Sequence, residues 1–147
     1  MKQQLINLAL FKLGWVACVL FAVAGQPVWA AASVAAVAVL HLLSVPIATK
    51  EAMLLAAAAV IGLAWESTLV ATGMVSYPAG AGASSMAPYW IVAMWVLFAT
   101  TINHGLRWIT KSWAIAMAAG AVGGPLAFYS GSAMGAVEFG NTPLALA

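Results

Sequence analysis

The chain is predicted to fold as an all-α bundle of membrane-spanning helices, on three observations. Five long apolar stretches occupy most of its 147 residues. Only 5% of those residues are charged and 65% are hydrophobic, with a mean hydropathy of +1.05. A soluble domain carries roughly a quarter charged residues, so no water-facing surface can be built from this composition. Finally, the few Lys and Arg side chains fall near alternate ends of the apolar stretches, the pattern that orients a polytopic protein.

A spanning helix needs about 20 apolar residues, so the length admits five or six crossings with short connections and no soluble domain. A single transmembrane domain over residues 1–147 is expected. The first span covers residues 5–24 and ends at Gly25-Gln26-Pro27; the second covers 28–45 and ends near Pro46 and Lys50. Glu51 opens the third, residues 52–73. A Gly/Ala/Ser segment, residues 74–87 with Tyr77 and Pro78 inside it, reads as an extramembrane loop. Pro88 is well placed to start the fourth span, residues 88–107, because a helix's first residue needs no N–H. The fifth runs over 113–129, and residues 132–147 have the composition of a partial sixth.

Lys2, Lys50, Arg107 and Lys111 flank the N-terminus and the second and fourth connections, while the first and third connections carry no charge. The positive-inside bias therefore places the N-terminus in the cytoplasm. Tyr77, Tyr89, Trp90 and Trp29 would mark the outer interface, and Trp108 and Trp113 the inner one. Lys2, an apolar core and Val28-Trp29-Ala30 also have the form of a secretory signal with a cleavage site; the later spans keep the same orientation with or without it. The pI of 8.9 reports this end-weighted charge, not a nucleic-acid footprint. Cys18, the single cysteine, lies inside an apolar run as a packed thiol.

Several segments resemble the bacterial inner-membrane family called domain of unknown function 2878. Leu13-Gly14-Trp15 with Cys18, Gly62, Trp65-Glu66-Ser67 and Pro88-Tyr89-Trp90 carry the likeness. More specific are Phe98-Ala99-Thr100-Thr101-Ile102-Asn103-His104 with Arg107-Trp108, and Gly123-Gly124-Pro125-Leu126-Ala127-Phe128-Tyr129 with Gly131 and Gly135. The resemblance implies a multi-span inner-membrane protein without assigned function, and some members are encoded beside enzymes that modify membrane fatty acids. The family pattern continues with a further apolar helix, so a complete chain is expected to carry a sixth span.

Motifs for soluble chemistry are missing. His41 and His104 share no ligand spacing with each other or with a carboxylate, so no metal and no cofactor is expected from local pattern. Gly80 and Gly82 lack the third glycine of a dinucleotide loop, and no nucleophile elbow or phosphate loop occurs.

The polar residues inside spans are therefore the candidates, since each costs about 2.5–3.5 kcal/mol at a helix centre and needs a partner or a function. Lys12, off the small-residue stripe Asn7, Gly14, Cys18, Gly25, is expected to snorkel to the headgroups. Glu66 shares a face with Gly62, Leu69 and Gly73 and should point inward. At its depth Pro125 frees the carbonyl of Ala121, to which a protonated Glu66 could donate; a proton-handling or substrate role is the alternative. In the fourth span Thr100, Asn103, His104 and Arg107 form one polar face suited to an anionic headgroup or small anion, with helix-to-helix bonding as the plainer reading. Gly123, Gly124 and Pro125 are expected to interrupt the fifth span, and Gly120 with Gly124 to favour close packing.

Three function classes remain: an accessory protein linked to membrane lipids, a small transporter using Glu66, and an intramembrane lipid-modifying enzyme using His104. Membrane lipids are the expected partner, a membrane-protein partner is open, nucleic acid is not expected, and whether the chain is an enzyme and its oligomeric state stay undecided by sequence.

Overall fold

The computed structural model describes residues 2–79 and 86–140. It is helical: α1 (Lys2–Val23), α2 (Pro27–Ser44), α3 (Ala48–Ala71), α4 (Tyr89–Ile102) and α5 (Trp113–Ala133) follow in order. A 3-10 turn, Ile109–Lys111, precedes α5. Two short strands, β1 (Val75–Ser76) and β2 (Glu138–Phe139), pair antiparallel with Val75 opposite Phe139 and Ser76 opposite Glu138. Helices α1, α2, α3 and α5 are each long and apolar enough to cross a membrane. Leu13, Val28, Leu43, Met53 and Val60 are each more than 60% exposed on their outer faces, as side chains meeting lipid would be.

How each helix stops sorts the molecule into two ends. Helices α1, α3 and α5 all terminate at glycines with positive φ, namely Gly25, Gly73 and Gly135. In each, the glycine N–H returns to a carbonyl three residues back and the next N–H to one five back, as in Ala136 N to Gly131 O at 2.9 Å. The other ends of these helices, together with the ends of α2 and α4, form the basic end, where Lys2, Lys50, Arg107 and Lys111 lie. There α2 stops at Val45, whose extended backbone precedes Pro46.

Helix α4 is the core element, and it is shorter than predicted. It has 14 residues, about 21 Å, whereas the sequence placed a span over 88–107. Two interactions end it at Ile102. The hydroxyls of Thr100 and Thr101 bond back to the carbonyls of Leu97 and Phe98 at 2.7 and 2.6 Å, competing with the helical ladder. Asn7 of α1 then donates to the Thr100 carbonyl at 3.0 Å and accepts from Gly105 N at 3.1 Å. A Cβ at Gly105 would strike Leu8 and Asn7, so glycine is what lets this clasp close. Trp90, Leu97, Ala99, Thr100 and Thr101 are buried against α1, α2 and α3.

Small residues set the packing distances around α4. Gly14 of α1 faces Leu97 and Val37, and Gly62 of α3 lies under the Trp95 indole so closely that a Cβ there would collide with it. The stripe expected to pack on α1 does so at Asn7, Gly14 and Cys18, while Gly25 serves the turn. Lys12 is exposed, with its Nζ 5.9 Å from the centre of the Trp15 ring.

The segment read as a plain extramembrane loop folds back onto the bundle. Val75, Tyr77 and Ala87 are buried, and Trp90 donates from Nε1 to the Ala79 carbonyl at 2.7 Å. Tyr77 and Trp90 are therefore core residues, not interface anchors, because each polar tip finds a protein partner. Trp29, Tyr89, Trp108 and Trp113 are more than half exposed, as interfacial aromatics are.

Helix α5 runs unbroken through Gly123, Gly124 and Pro125, in place of the predicted interruption. Lipid-spanning helices accommodate a proline by small local adjustments. Its neighbours are the 3-10 turn before it and, at its far end, Phe128, Met134, Ala136 and Val137 against the core. Of the predicted partial sixth span, residues 134–140 form a turn and a strand, and 141–147 lie outside the described residues.

Candidate functional site

Two glutamates sit at opposite ends of α3, Glu66 buried and Glu51 partly buried, and each has polar partners. Glu66, 1% exposed, receives a hydrogen bond on each carboxylate oxygen: Tyr77 Oη donates to Oε2 at 2.5 Å and Trp95 Nε1 to Oε1 at 2.8 Å. Burial, with the Glu66 carboxylate beside it, pushes the Tyr77 phenol well above its ordinary range, so it stays a donor. The Tyr77 ring stands edge-on to Trp90, 5.6 Å between centroids. Glu66 thus points inward as predicted, but its partners are Tyr77 and Trp95, not the Ala121 carbonyl. Ala121 is exposed on α5, and neither of the two bonds requires a proton from Glu66.

The second cluster lies at the basic end. The connection between α2 and α3 is only Val45 to Ile47, so His41 in the last turn of α2 meets Glu51 in the first turn of α3. His41 Nε2 lies 3.2 Å from Glu51 Oε2. The turn that ends α4 supplies two more groups. Asn103 Nδ2 donates to Glu51 Oε1 at 3.1 Å, and His104 Nε2 lies 3.5 Å from the same oxygen. The two imidazoles meet edge-on with centroids 4.9 Å apart. Glu51 is further favoured by its place at a helix N-terminus, where the helix dipole is positive. The Asn7 clasp holds the 103–106 turn against α1 and so fixes where His104 points.

This cluster has an imbalance that the Glu66 site lacks. The His104 Nε2 atom is buried and has no hydrogen-bond partner. The side chains of His41, Glu51 and His104 are 5%, 12% and 29% exposed, so the cluster opens on the His104 side. Among the described residues every ion pair is made by Glu51, which leaves Lys2, Lys50, Arg107 and Lys111 without an acidic partner.

The face predicted on the fourth span does not form as one stripe. Because α4 ends at Ile102, Thr100 is buried inside the bundle, Asn103 and His104 turn to Glu51, and Arg107 is exposed beyond them. Two of the four groups expected to hold an anion, Asn103 and His104, instead lie against a carboxylate. His41 and Glu51 were outside the predicted site. Their ten-residue separation across a proline turn, with His104 far away in sequence, matches no local ligand spacing, although a histidine ending one helix and a glutamate opening the next is a signal that could have joined them.

The sequence profile of one family, described as a protein of unknown function (DUF2878), matches residues 4–147. No curated protein and no solved structure matches the chain.

Proposed function

The chain belongs to the DUF2878 family, and from that membership and its own geometry we propose that it is a multi-pass protein of the bacterial inner membrane, N-terminus in the cytoplasm, serving membrane lipids as an accessory protein. One observation carries this reading. The basic end holds four cations that have no acidic partner among the described residues, beside a partly open polar cluster at the level where lipid phosphates would sit. Arg107 and Lys111 lie in the connection between α4 and α5, with Trp108 exposed next to them. A cationic, aromatic rim of this kind suits anionic headgroups, and the carboxylate that would repel them is covered by two imidazoles and an amide.

In the transporter reading Glu66 would be the coupling group, and both of its oxygens are engaged by donors, Tyr77 and Trp95. The lipid-modifying enzyme is a second reading, favoured by the approach of His104 to Glu51, which puts an imidazole beside a carboxylate at the headgroup level. Comparison of membrane lipid composition between a deletion strain and one complemented with the chain tests the proposal. A changed acyl or headgroup profile, restored by the chain, is expected; identical lipids in the two strains would overturn the lipid link.

A further inference from the structure

We infer that His41, Glu51 and His104 form a binding site for a divalent first-row transition ion. The ligand atoms of the three residues all lie within 4.8 Å of one another. They come from three different elements: the last turn of α2, the first turn of α3 and the turn after α4.

The distances fit an ion held between the three groups. Zinc takes nitrogen and oxygen ligands at about 2.0–2.2 Å, so two ligands of a tetrahedron stand about 3.3–3.5 Å apart. His41 Nε2 stands 3.2 Å from Glu51 Oε2 and His104 Nε2 stands 3.5 Å from the other oxygen, Oε1, so each ring lies about a tetrahedral edge from one oxygen of the carboxylate. The second distance is too long for a good hydrogen bond, for which N–H to O distances run about 2.7–3.2 Å. The widest separation, at most 4.8 Å, exceeds the tetrahedral edge by about 1.3 Å, which rotation of the partly exposed His104 ring can close.

His104 Nε2 supplies the independent observation. It is a buried ring nitrogen with no hydrogen bond among the described residues, 3.5 Å from a carboxylate oxygen. A neutral imidazole presenting its lone pair there would meet another lone pair, and burying such an unmet group is unfavourable. One cation between the three groups gives both imidazoles and the carboxylate a partner. Asn103 completes the arrangement, because its amide donates to Glu51 Oε1 and so orients the ligand carboxylate, as outer partners of metal ligands do.

Three protein ligands leave a coordination position open, and the more exposed His104 side faces outward. Two histidines and one carboxylate with a free position suit zinc or ferrous iron better than calcium or magnesium, which prefer oxygen throughout. The ion requires nothing of the lipid-linked reading: metal uptake is read on purified protein and lipid composition in cells, so either can fail alone.

The test uses the full chain purified in detergent through a tag free of histidine, stripped with chelator and titrated with cobalt(II), then with zinc. The expected result is a stoichiometric cobalt complex with intense visible absorption of low-coordinate geometry, displaced by zinc. Glu51→Gln and His104→Ala should lose the absorption, and Asn103→Leu should bind about 10- to 100-fold more weakly. Glu66→Gln, altered at the far end of α3, should keep it. His104→Ala carries the test if His41→Ala fails to fold, since His104 is the most exposed ligand. A folded wild-type chain that leaves cobalt with the spectrum of the free aqueous ion would overturn the site, as would full retention of cobalt binding in His104→Ala and Glu51→Gln.

Discussion

Glu66 and Glu51 lie on one helix, 15 residues apart, and their surroundings differ in kind. At Glu66 the count of groups closes: two carboxylate oxygens meet two donors, Tyr77 and Trp95, in a fully buried setting. At Glu51 it does not close, for two imidazole nitrogens and an amide converge on one carboxylate and a buried nitrogen is left without a hydrogen bond. A satisfied buried network fixes one arrangement of helices and loop. An unsatisfied, partly open one is a place where something further can bind. Here the first joins α3, α4 and the segment after β1, and the second gathers the connections at the basic end.

The largest effect is expected where closure is complete. Glu66→Lys puts a cation against two hydrogen-bond donors and should cost about 3–5 kcal/mol, enough to prevent accumulation of folded protein. Glu66→Gln should be recovered close to wild-type yield, because its carbonyl can accept from Trp95 while the Tyr77 hydroxyl turns to accept from its amide. Thermal denaturation followed by size-exclusion chromatography of detergent-solubilised variants compares them. Recovery of stable Glu66→Lys protein would end the distinction drawn between the two ends.

A smaller loss is expected from Gly62→Ala, which forces a methyl into the Trp95 indole and so disturbs the Trp95 bond to Glu66. Overpacking of this sort costs about 1–3 kcal/mol. The same measurement should show it, together with a change in tryptophan fluorescence. An unchanged midpoint and spectrum would mean that α3 and α4 can separate without loss.

Which end faces the cytoplasm is a test with no stability change. In a Cys18→Ala background, Gln26→Cys at the opposite end should react with an impermeant thiol reagent in intact cells and Ser112→Cys at the basic end should not. Reaction of Ser112→Cys alone would invert the orientation and move the polar cluster to the outside. Ser84, the corresponding position in the long connection, lies outside the described residues.

The smallest effect on folding belongs to Arg107→Gln, an exposed change expected to stay within about 0.5 kcal/mol. It should nevertheless reduce anionic lipid carried through purification, relative to Thr110→Ala beside it, as read by native mass spectrometry. Equal lipid retention would remove the basic rim as support for a lipid-linked role.

The long apolar helices, the alternate placement of cations and the family were legible in the sequence because hydropathy and charge add along the chain and need no knowledge of neighbours. The inward direction of Glu66 and the packing stripe on α1 followed from helical periodicity for the same reason. The partners of those residues were not legible. Pro125 on α5 looked like a partner for Glu66 at equal depth, yet depth does not say which helices touch, and Tyr77 came from a segment that reads as a loop. The stripe from Thr100 to Arg107 assumed that the helix continues, and it was the Asn7 clasp, made across 93 residues, that stopped it. Stopping α4 at Ile102 is also what turns His104 toward His41 and Glu51. Sequence alone therefore determined that this chain lives in a bilayer and where its charges lie. Only the tertiary structure decided which polar groups meet, because a hydrogen bond or a metal ligand set depends on ångström-scale placement of side chains from helices that periodicity treats one at a time.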